Sequence, residues 1–312
     1  MVINEGDLTL VERPTPVPGP LEVVIEVHGA ALNAADLLQR RGLYPAPPGW
    51  PSDVPGLEMA GVISQVGADV DESRIGQRVC AIVGAGAQAT HCVVPVEHLL
   101  AVPDHANWDQ AGGFAEAFVT AHDALVSQGH LEPGERVLIS GAAGGVGTAA
   151  VQVAHALGGR VTAVTRTSEH HDALRRLGAE QVVTIDQVGE VGPVDVLIEL
   201  VGAAHLAKAQ RVLAPRSRVV VIGVSGGSRV ELDLLSVMQH RAHLTGSTMR
   251  SRSREEKAGV IDAARSALLP LWDRGELHVA IARTYDLTDV VDAYEFFEHE
   301  GKLGKVTLHV DQ

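Results

Sequence analysis

The chain is 312 residues long, enough for two domains with sizeable cores. Its 46% hydrophobic and 21% charged residues are ordinary for a globular protein. A net charge of −14 argues against nucleic acid or an anionic membrane surface as the main partner.

The N-terminus, Met1-Val-Ile-Asn-Glu-Gly-Asp7, has neither a basic region nor an apolar run of the signal-peptide kind. No apolar stretch approaches a membrane span. The first third then reads as β-rich: residues 21–27, 59–66 and 76–83 are strand-like, broken by Pro-rich loops at 13–20 and 44–51. Ala34 to Arg41 suggests a helix, with Asn33 before it. Cys80 and Cys92 sit in strand-like runs without metal spacing, so free thiols in a reducing, cytoplasmic setting are expected.

From about Phe118 strands and helices alternate, with candidate strands at 136–140, 160–165, 181–184, 195–200, 218–222 and 242–247. Their near-continuous Val/Ile/Leu content fits a parallel sheet covered on both faces. A helix over 254–274 follows, then a strand at 279–285, a helix capped by Thr288 that runs to about 299, and a last strand at 304–310. The fold class is therefore α/β. A β-rich domain (1–117) is followed by a doubly wound Rossmann domain (118–255), and a C-terminal segment (256–312) returns to the first. Ligand would bind in the cleft between them.

The most informative segment is Gly141-Ala-Ala-Gly-Gly-Val-Gly147, directly after the strand at 136–140. Strand, glycine turn and helix in that order bring backbone N–H groups and a helix N-terminus against a pyrophosphate. The G-x-G-x-x-G pattern is present with Ala142 in its first position, then Gly144 and Gly147. The second strand settles the coenzyme expectation. An NAD-specific domain places Asp or Glu at its end, whereas here Thr165 is followed by Arg166, Thr167 and Ser168. The first carboxylate, Glu169, is expected in the following helix. Arg166 and the two hydroxyls suit a 2′-phosphate, hence NADPH. The plainer reading has Thr167 or Ser168 capping a helix and Arg166 in solvent.

Asn33-Ala-Ala-Asp36, Arg41-Gly-Leu-Tyr44, Pro55-Gly-Leu-Glu-Met-Ala-Gly61, the glycine turn, Glu116-Ala-Phe-Val-Thr-Ala121 and Arg250-Ser-Arg252 occur in the order seen in medium-chain dehydrogenases/reductases. Within that superfamily the chain resembles the zinc-free, zeta-crystallin-like quinone oxidoreductases, most closely their tumour-suppressor-inducible type. The resemblance implies a GroES-like catalytic domain, a Rossmann domain, NADPH and a homodimer. It implies cofactor contacts from Tyr44, Thr120, Gly141, Ala142, Ala143, Gly144, Gly145, Val146, Gly147, Thr165, Arg166, Thr167, Val201, Ile222, Gly223, Val224, Ser247, Thr248 and Met249.

Tyr44 either stacks on nicotinamide and donates to a substrate carbonyl or packs on the neighbouring prolines; the resemblance favours the first. Asn33 either bonds ribose or substrate or caps the helix after it. Glu58 falls where zinc-dependent relatives carry a His-Glu pair, but Leu57 precedes it, and no metal site is expected. Arg250, Arg252 and Arg254 either approach a phosphate or an acidic substrate or form a charged lead-in to the 254–274 helix, the second being the favoured reading, and most of the 15 histidines read as surface residues. The expected activity is NADPH-dependent reduction of a small-molecule quinone. Reduction of an enone or enoyl thioester (a conjugated carbonyl) is the chemical alternative, and a non-catalytic NADPH-binding sensor is the alternative of another class. The strand at 242–247 is expected to be a sheet edge that pairs with its copy in a homodimer.

Overall fold

Two segments, Met1–Val119 and Met249–Gln312, build one unit, and Thr120–Thr248 builds a second. The computed structural model describes residues 1–299 and 301–311. The return to the first unit begins at Met249, earlier than the expected 256. Its long helix, Arg254–Asp273, packs on the turn Val96–His98 and the strand Leu99–Ala101. Arg265 donates from that helix to the carbonyls of Glu97 and Leu99, both at 3.0 Å.

In the second unit six parallel strands lie in the spatial order Gln181–Thr184, Arg160–Thr165, Arg136–Ile139, Val194–Glu199, Leu213–Val221, His243–Gly246. Counted along the chain this is 3-2-1-4-5-6, the doubly wound order of dinucleotide-binding domains. The order reverses between Arg136–Ile139 and Val194–Glu199, where Ile139 faces Ile198. Val137, Leu138, Ile139, Val196, Leu197 and Ile198 are all buried, as both faces of a covered parallel sheet require.

The first unit carries a seven-stranded, mainly antiparallel sheet around Glu22–Ala31, which pairs with Glu58–Val66, His91–Pro95 and, from the far end of the chain, Lys305–His309. Ile281–Asp286 adds in parallel to that last strand. Its core joins Val23, Ile25, Met59 and Ile63 to Tyr294, Val306 and Leu308. Cys80 and Cys92 are buried free thiols.

One local expectation fails. Thr288 does not cap the last helix: the chain makes a 3-10 turn at Leu287–Asp289 and Asp289 stands at the N-cap of Val290–Glu298. Most of the histidines are at least partly exposed, as expected; His98, His122 and His205 are the buried exceptions. No helix among the described residues is long and apolar enough to cross a membrane.

Trp272 fixes the long helix to the first unit, stacking on Phe114 with ring centroids 3.6 Å apart and only 2% of its surface exposed. Trp272→Ala should cost about 3–5 kcal/mol, read as a lower midpoint in chemical denaturation at unchanged slope.

Candidate functional site

The glycine turn begins where Arg136–Ile139 ends. Gly141 has φ +58°, a left-handed conformation that favours glycine, and its carbonyl accepts from the N–H of Gly144 at 3.0 Å. Gly144 is the N-cap of the helix Gly145–Ala156. A Cβ on Gly147 would lie 2.3 Å from the Gly141 carbonyl oxygen, so only glycine allows the helix to approach the turn this closely. Ala142 and Gly147 are buried, whereas Ala143 to Val146 are at least partly exposed. An uncovered backbone surface at a helix N-terminus fits the pyrophosphate of a dinucleotide.

Beneath this turn lies a group that sequence reasoning missed. Glu199, fully buried at the end of Val194–Glu199, accepts at Oε1 from the Ser140 hydroxyl (2.6 Å) and from the N–H groups of Val201 and Gly202 (2.8 Å each). Its Oε2 meets His205 Nδ1 at 2.5 Å. Burial pushes this carboxyl up, but the His205 bond and charge, the Ser140 hydroxyl and the Gly202 N–H outweigh it and hold it below the usual range. The Ser140–Glu199 bond spans the place where the strand order reverses. The loops above pack backbone to backbone: a Cβ on Gly223 would meet the Leu200 carbonyl oxygen at 2.4 Å. Val201, Ile222 and Gly223 are partly exposed, and Val224 is exposed.

At the end of Arg160–Thr165 the residues Arg166, Thr167 and Ser168 are exposed. Thr165 is buried, and its hydroxyl turns inward, 2.8 Å from the Thr167 carbonyl oxygen and 3.1 Å from His171 Nε2, supporting the turn. The next helix, His171–Arg176, starts later than expected with His170 at its N-cap. Neither Thr167 nor Ser168 caps it, and Glu169 lies in the turn before it. Thr120 is buried, Thr248 exposed, and Ser247 donates to Asp123 at 2.9 Å.

In the first unit Asn33 precedes the helix Ala34–Arg40, and both ends of its amide are in use. It donates to Glu58 Oε1 at 3.1 Å and accepts from the Lys305 ammonium at 2.7 Å. Lys305 also pairs with Glu58 at 2.5 Å, and the N–H of Glu116 donates to Glu58 Oε2 at 2.8 Å. The carboxylate that neighbours a zinc-ligating histidine in zinc-dependent relatives is thus committed to an ammonium and two N–H donors. Among the described residues no three His, Cys, Asp or Glu gather into a metal-binding group.

Tyr44 is half-buried, and Arg250 holds its loop. The Arg250 guanidinium lies 4.8 Å from the Tyr44 ring centre and donates to the carbonyls of Tyr44 and Gly84 (2.8 Å each) and to Gln39 Oε1 (2.5 Å). Arg250 is therefore a buried clamp, not the charged lead-in expected, because its fork matches three oxygens far away in the sequence. Met249 opens the return segment beside it.

Two buried carboxylates give opposite pH signatures. Burial pushes Asp36 up from 3.8 to about 6, against the N–H groups of Asn33 and Gly56 and the charges of Lys305 and Arg250. Folding therefore favours its protonated form, and the stability it contributes is lost as pH rises from 3.8 through about 6. Glu199, depressed from 4.5, contributes stability above that pH and loses it as pH falls through its folded value. Urea unfolding between pH 4 and 6 should thus show Asp36→Asn gaining on wild type as pH rises. Glu199→Gln should gain on wild type as pH falls below 4.5.

Comparison with known proteins identifies the architecture. The alcohol dehydrogenase GroES-like domain family matches residues 19–130, and the zinc-binding dehydrogenase family matches 145–266. Human quinone oxidoreductase is 30% identical over 94% of this chain and 90% of its own. The human synaptic vesicle membrane protein VAT-1 homolog is 27% identical over 94% and 80%. A solved Pseudomonas syringae quinone oxidoreductase superposes with TM-score 0.86 at 28% identity, over 99% of this chain and 97% of that one. The CurK enoyl reductase superposes with TM-score 0.83 at 26% identity, over 97% and 94%. With the strand order, the glycine turn and a Glu58 bound to lysine, these likenesses place the chain in the medium-chain dehydrogenase/reductase family of oxidoreductases, among its zinc-free quinone oxidoreductase-like members.

Proposed function

We propose that the protein is an NADPH-dependent quinone reductase. The observation that carries the reading is the exposed glycine turn together with a neighbouring strand end that presents Arg166, Thr167 and Ser168 with no carboxylate among them. Backbone of Ala143 to Val146 holds the pyrophosphate, and Arg166 with the two hydroxyls holds a 2′-phosphate. Val201, Ile222 to Val224 and Ser247 to Met249 flank the rest of the coenzyme. When bound, the reduced nicotinamide supplies a hydride.

The protein's own part is binding, orientation and polarisation. Tyr44, its loop clamped by Arg250, orients the ring system and donates a hydrogen bond to the quinone oxygen that becomes anionic. Asn33, with its amide engaged by Glu58 and Lys305, acts as a positioning residue for the first helix. No metal takes part, and turnover should survive chelation. What supports a quinone is the likeness to quinone oxidoreductases. The likeness to CurK enoyl reductase favours a conjugated carbonyl as the second reading, since a polarised oxygen serves both. The setting proposed is cytoplasmic.

Assembly as a homodimer belongs to the same proposal. His243–Gly246 is an edge strand, and the helix before it, Leu234–His240, exposes Leu234 (70%), Leu235 (62%) and Met238 (72%), with Leu244 (54%) on the strand. Strand pairing with a copy would satisfy the open edge and cover these side chains. Light scattering at micromolar concentration should give twice the 32.8 kDa chain mass, and Leu244→Lys should shift it toward monomer. A wild-type monomer overturns this.

Coenzyme oxidation with a panel of quinones, alkenals and enoyl thioesters tests the activity; turnover confined to the alkenals and thioesters would establish the second reading. Tyr44→Phe should lower turnover with little change in NADPH binding. A donor at a developing oxyanion is worth roughly 2.7–4 kcal/mol at most, less in an open site. Arg166→Ala should weaken NADPH by roughly ten- to a hundredfold, the worth of one charge-assisted contact, and leave NADH nearly unchanged. Equal effects on both coenzymes, or a wild-type preference for NADH, would overturn the NADPH assignment.

A further inference from the structure

The first unit also holds a pocket of about 840 Å³, of the size that takes a small organic ligand. Its walls come from the N-terminal arm (Val11, Arg13, Val17), the loop of Trp50 and Val54, the strand His91–Pro95 and the segment leading into the long helix. Tyr44, Asn33, Glu58 and Lys305 are not among its lining residues.

Only four lysines occur in the chain, and two of them are buried: Lys305, 3% exposed, and Lys257, 2% exposed. Their surroundings differ sharply. The Lys305 ammonium pairs with Glu58 and donates to Asn33 Oδ1 and the Leu32 carbonyl. Lys257 lines the pocket, and among the described residues its ammonium has neither a carboxylate nor a hydrogen-bond acceptor. It lies 5.8 Å from the centre of the Trp50 ring. Burial, and repulsion from the Arg250 guanidinium, bring its pKa down from 10.5 to about 8.

The other charged groups of the pocket do not compensate it. Arg13 is paired with Asp53, and Arg254 with Glu97. Glu22 accepts from the Gly19 N–H at 2.8 Å and lies 4.0 Å from Arg254. Arg250 spends its donors on neutral oxygens. His98 bonds the Arg254 carbonyl through Nε2, and burial lowers its pKa toward the neutral imidazole, which offers Lys257 no counter-charge. Lys257 also stands in the first turn of a 20-residue helix, Arg254–Asp273, whose N-terminal residues line the same pocket. Glu255 and Glu256 in its first turn, Glu256 accepting from the Ser253 N–H, offset the partial positive charge of that end, so the attraction rests on Lys257. An ammonium on a buried side chain, facing only the Trp50 ring and no counter-charge, is costly, and an anion entering from the pocket would supply the missing charge.

We infer that this pocket binds a small organic anion, a single carboxylate on an apolar body, with the carboxylate paired to Lys257 and the body against Trp50, Val54 and Val11. The inference stands independently of the coenzyme and quinone assignments, because none of its groups is used there except Arg250.

Calorimetric titration of the full chain with octanoate at pH 7 is the test, with 1-octanol and inorganic phosphate as probes lacking the charge or the body. Octanoate should saturate one site, with both other probes about tenfold weaker or worse. Lys257→Met should weaken octanoate by about tenfold or more and raise the ligand-free melting temperature, because an unpaired buried charge is gone. Lys257→Gln should show the same loss of binding if the Met variant folds poorly. No saturable octanoate binding by wild type, phosphate binding as tight as octanoate, or unchanged affinity in the Lys257 variants would overturn the inference.

Discussion

The second unit depends on one carboxylate. Glu199 satisfies a hydroxyl from the end of the first Rossmann strand, two backbone N–H groups from the loop after its own strand and an imidazole from the next helix. No single donor would compensate burial of a carboxylate; four do. The four donors fix how the ends of Arg136–Ile139 and Val194–Glu199 sit beside each other, and that arrangement aims the glycine turn. Gly147 then closes the turn onto the helix, where one methyl group would collide with the Gly141 carbonyl. The coenzyme-binding surface is thus set from below by polar satisfaction and from the side by the absence of a side chain.

The first unit solves a similar problem with more members. Asn33, Asp36, Glu58, Gln88, Tyr294 and Lys305 are all buried, and their bonds tie the first helix, the strand Glu58–Val66 and the chain's last strand together. Such a network yields little net stability over an apolar core, but it is unforgiving of misplacement. Tyr44 hangs from its edge through Arg250, which reaches Gln39 on the first helix and Gly84 beyond the strand Arg78–Ile82. A loop tied down by a three-oxygen guanidinium fork can hold an aromatic ring in place without packing it into the core.

The parts of this arrangement visible in the sequence are those with a local cause. The Rossmann strands were legible because burial on both faces leaves nothing polar in them, and the glycine turn because its residue types follow from its geometry. The helix Leu234–His240 was not legible: it leaves Leu234, Leu235 and Met238 exposed, so no apolar face marks its side toward the sheet. Short strands such as Val2–Asn4 and Leu99–Ala101 give too few alternations to register. Glu199 and Arg250 escaped for a different reason. Ser140 is 59 residues from Glu199, and Tyr44 is 206 from Arg250, so neither partnership leaves a spacing to recognise. Arg250 read as surface charge because nothing local distinguishes a buried arginine from an exposed one.

Charge gives the last link between these networks and coenzyme binding. With a net charge of −14, the mean field of the chain opposes a polyanionic ligand, so attraction must be local and short-ranged. A free carboxylate at the C-terminal end of the sheet, next to the glycine turn, would add to that repulsion. Glu199 stands there, yet its oxygens turn inward to His205, Ser140 and two N–H groups, four donors whose dipoles oppose its charge at close range. The same donors that hold the strand ends therefore weaken the field of an unfavourable charge beneath the pyrophosphate surface. Replacing Glu199 would not simply improve the field, because it would leave Ser140, His205 and the loop N–H groups without their acceptor. Structure and electrostatics constrain this position together.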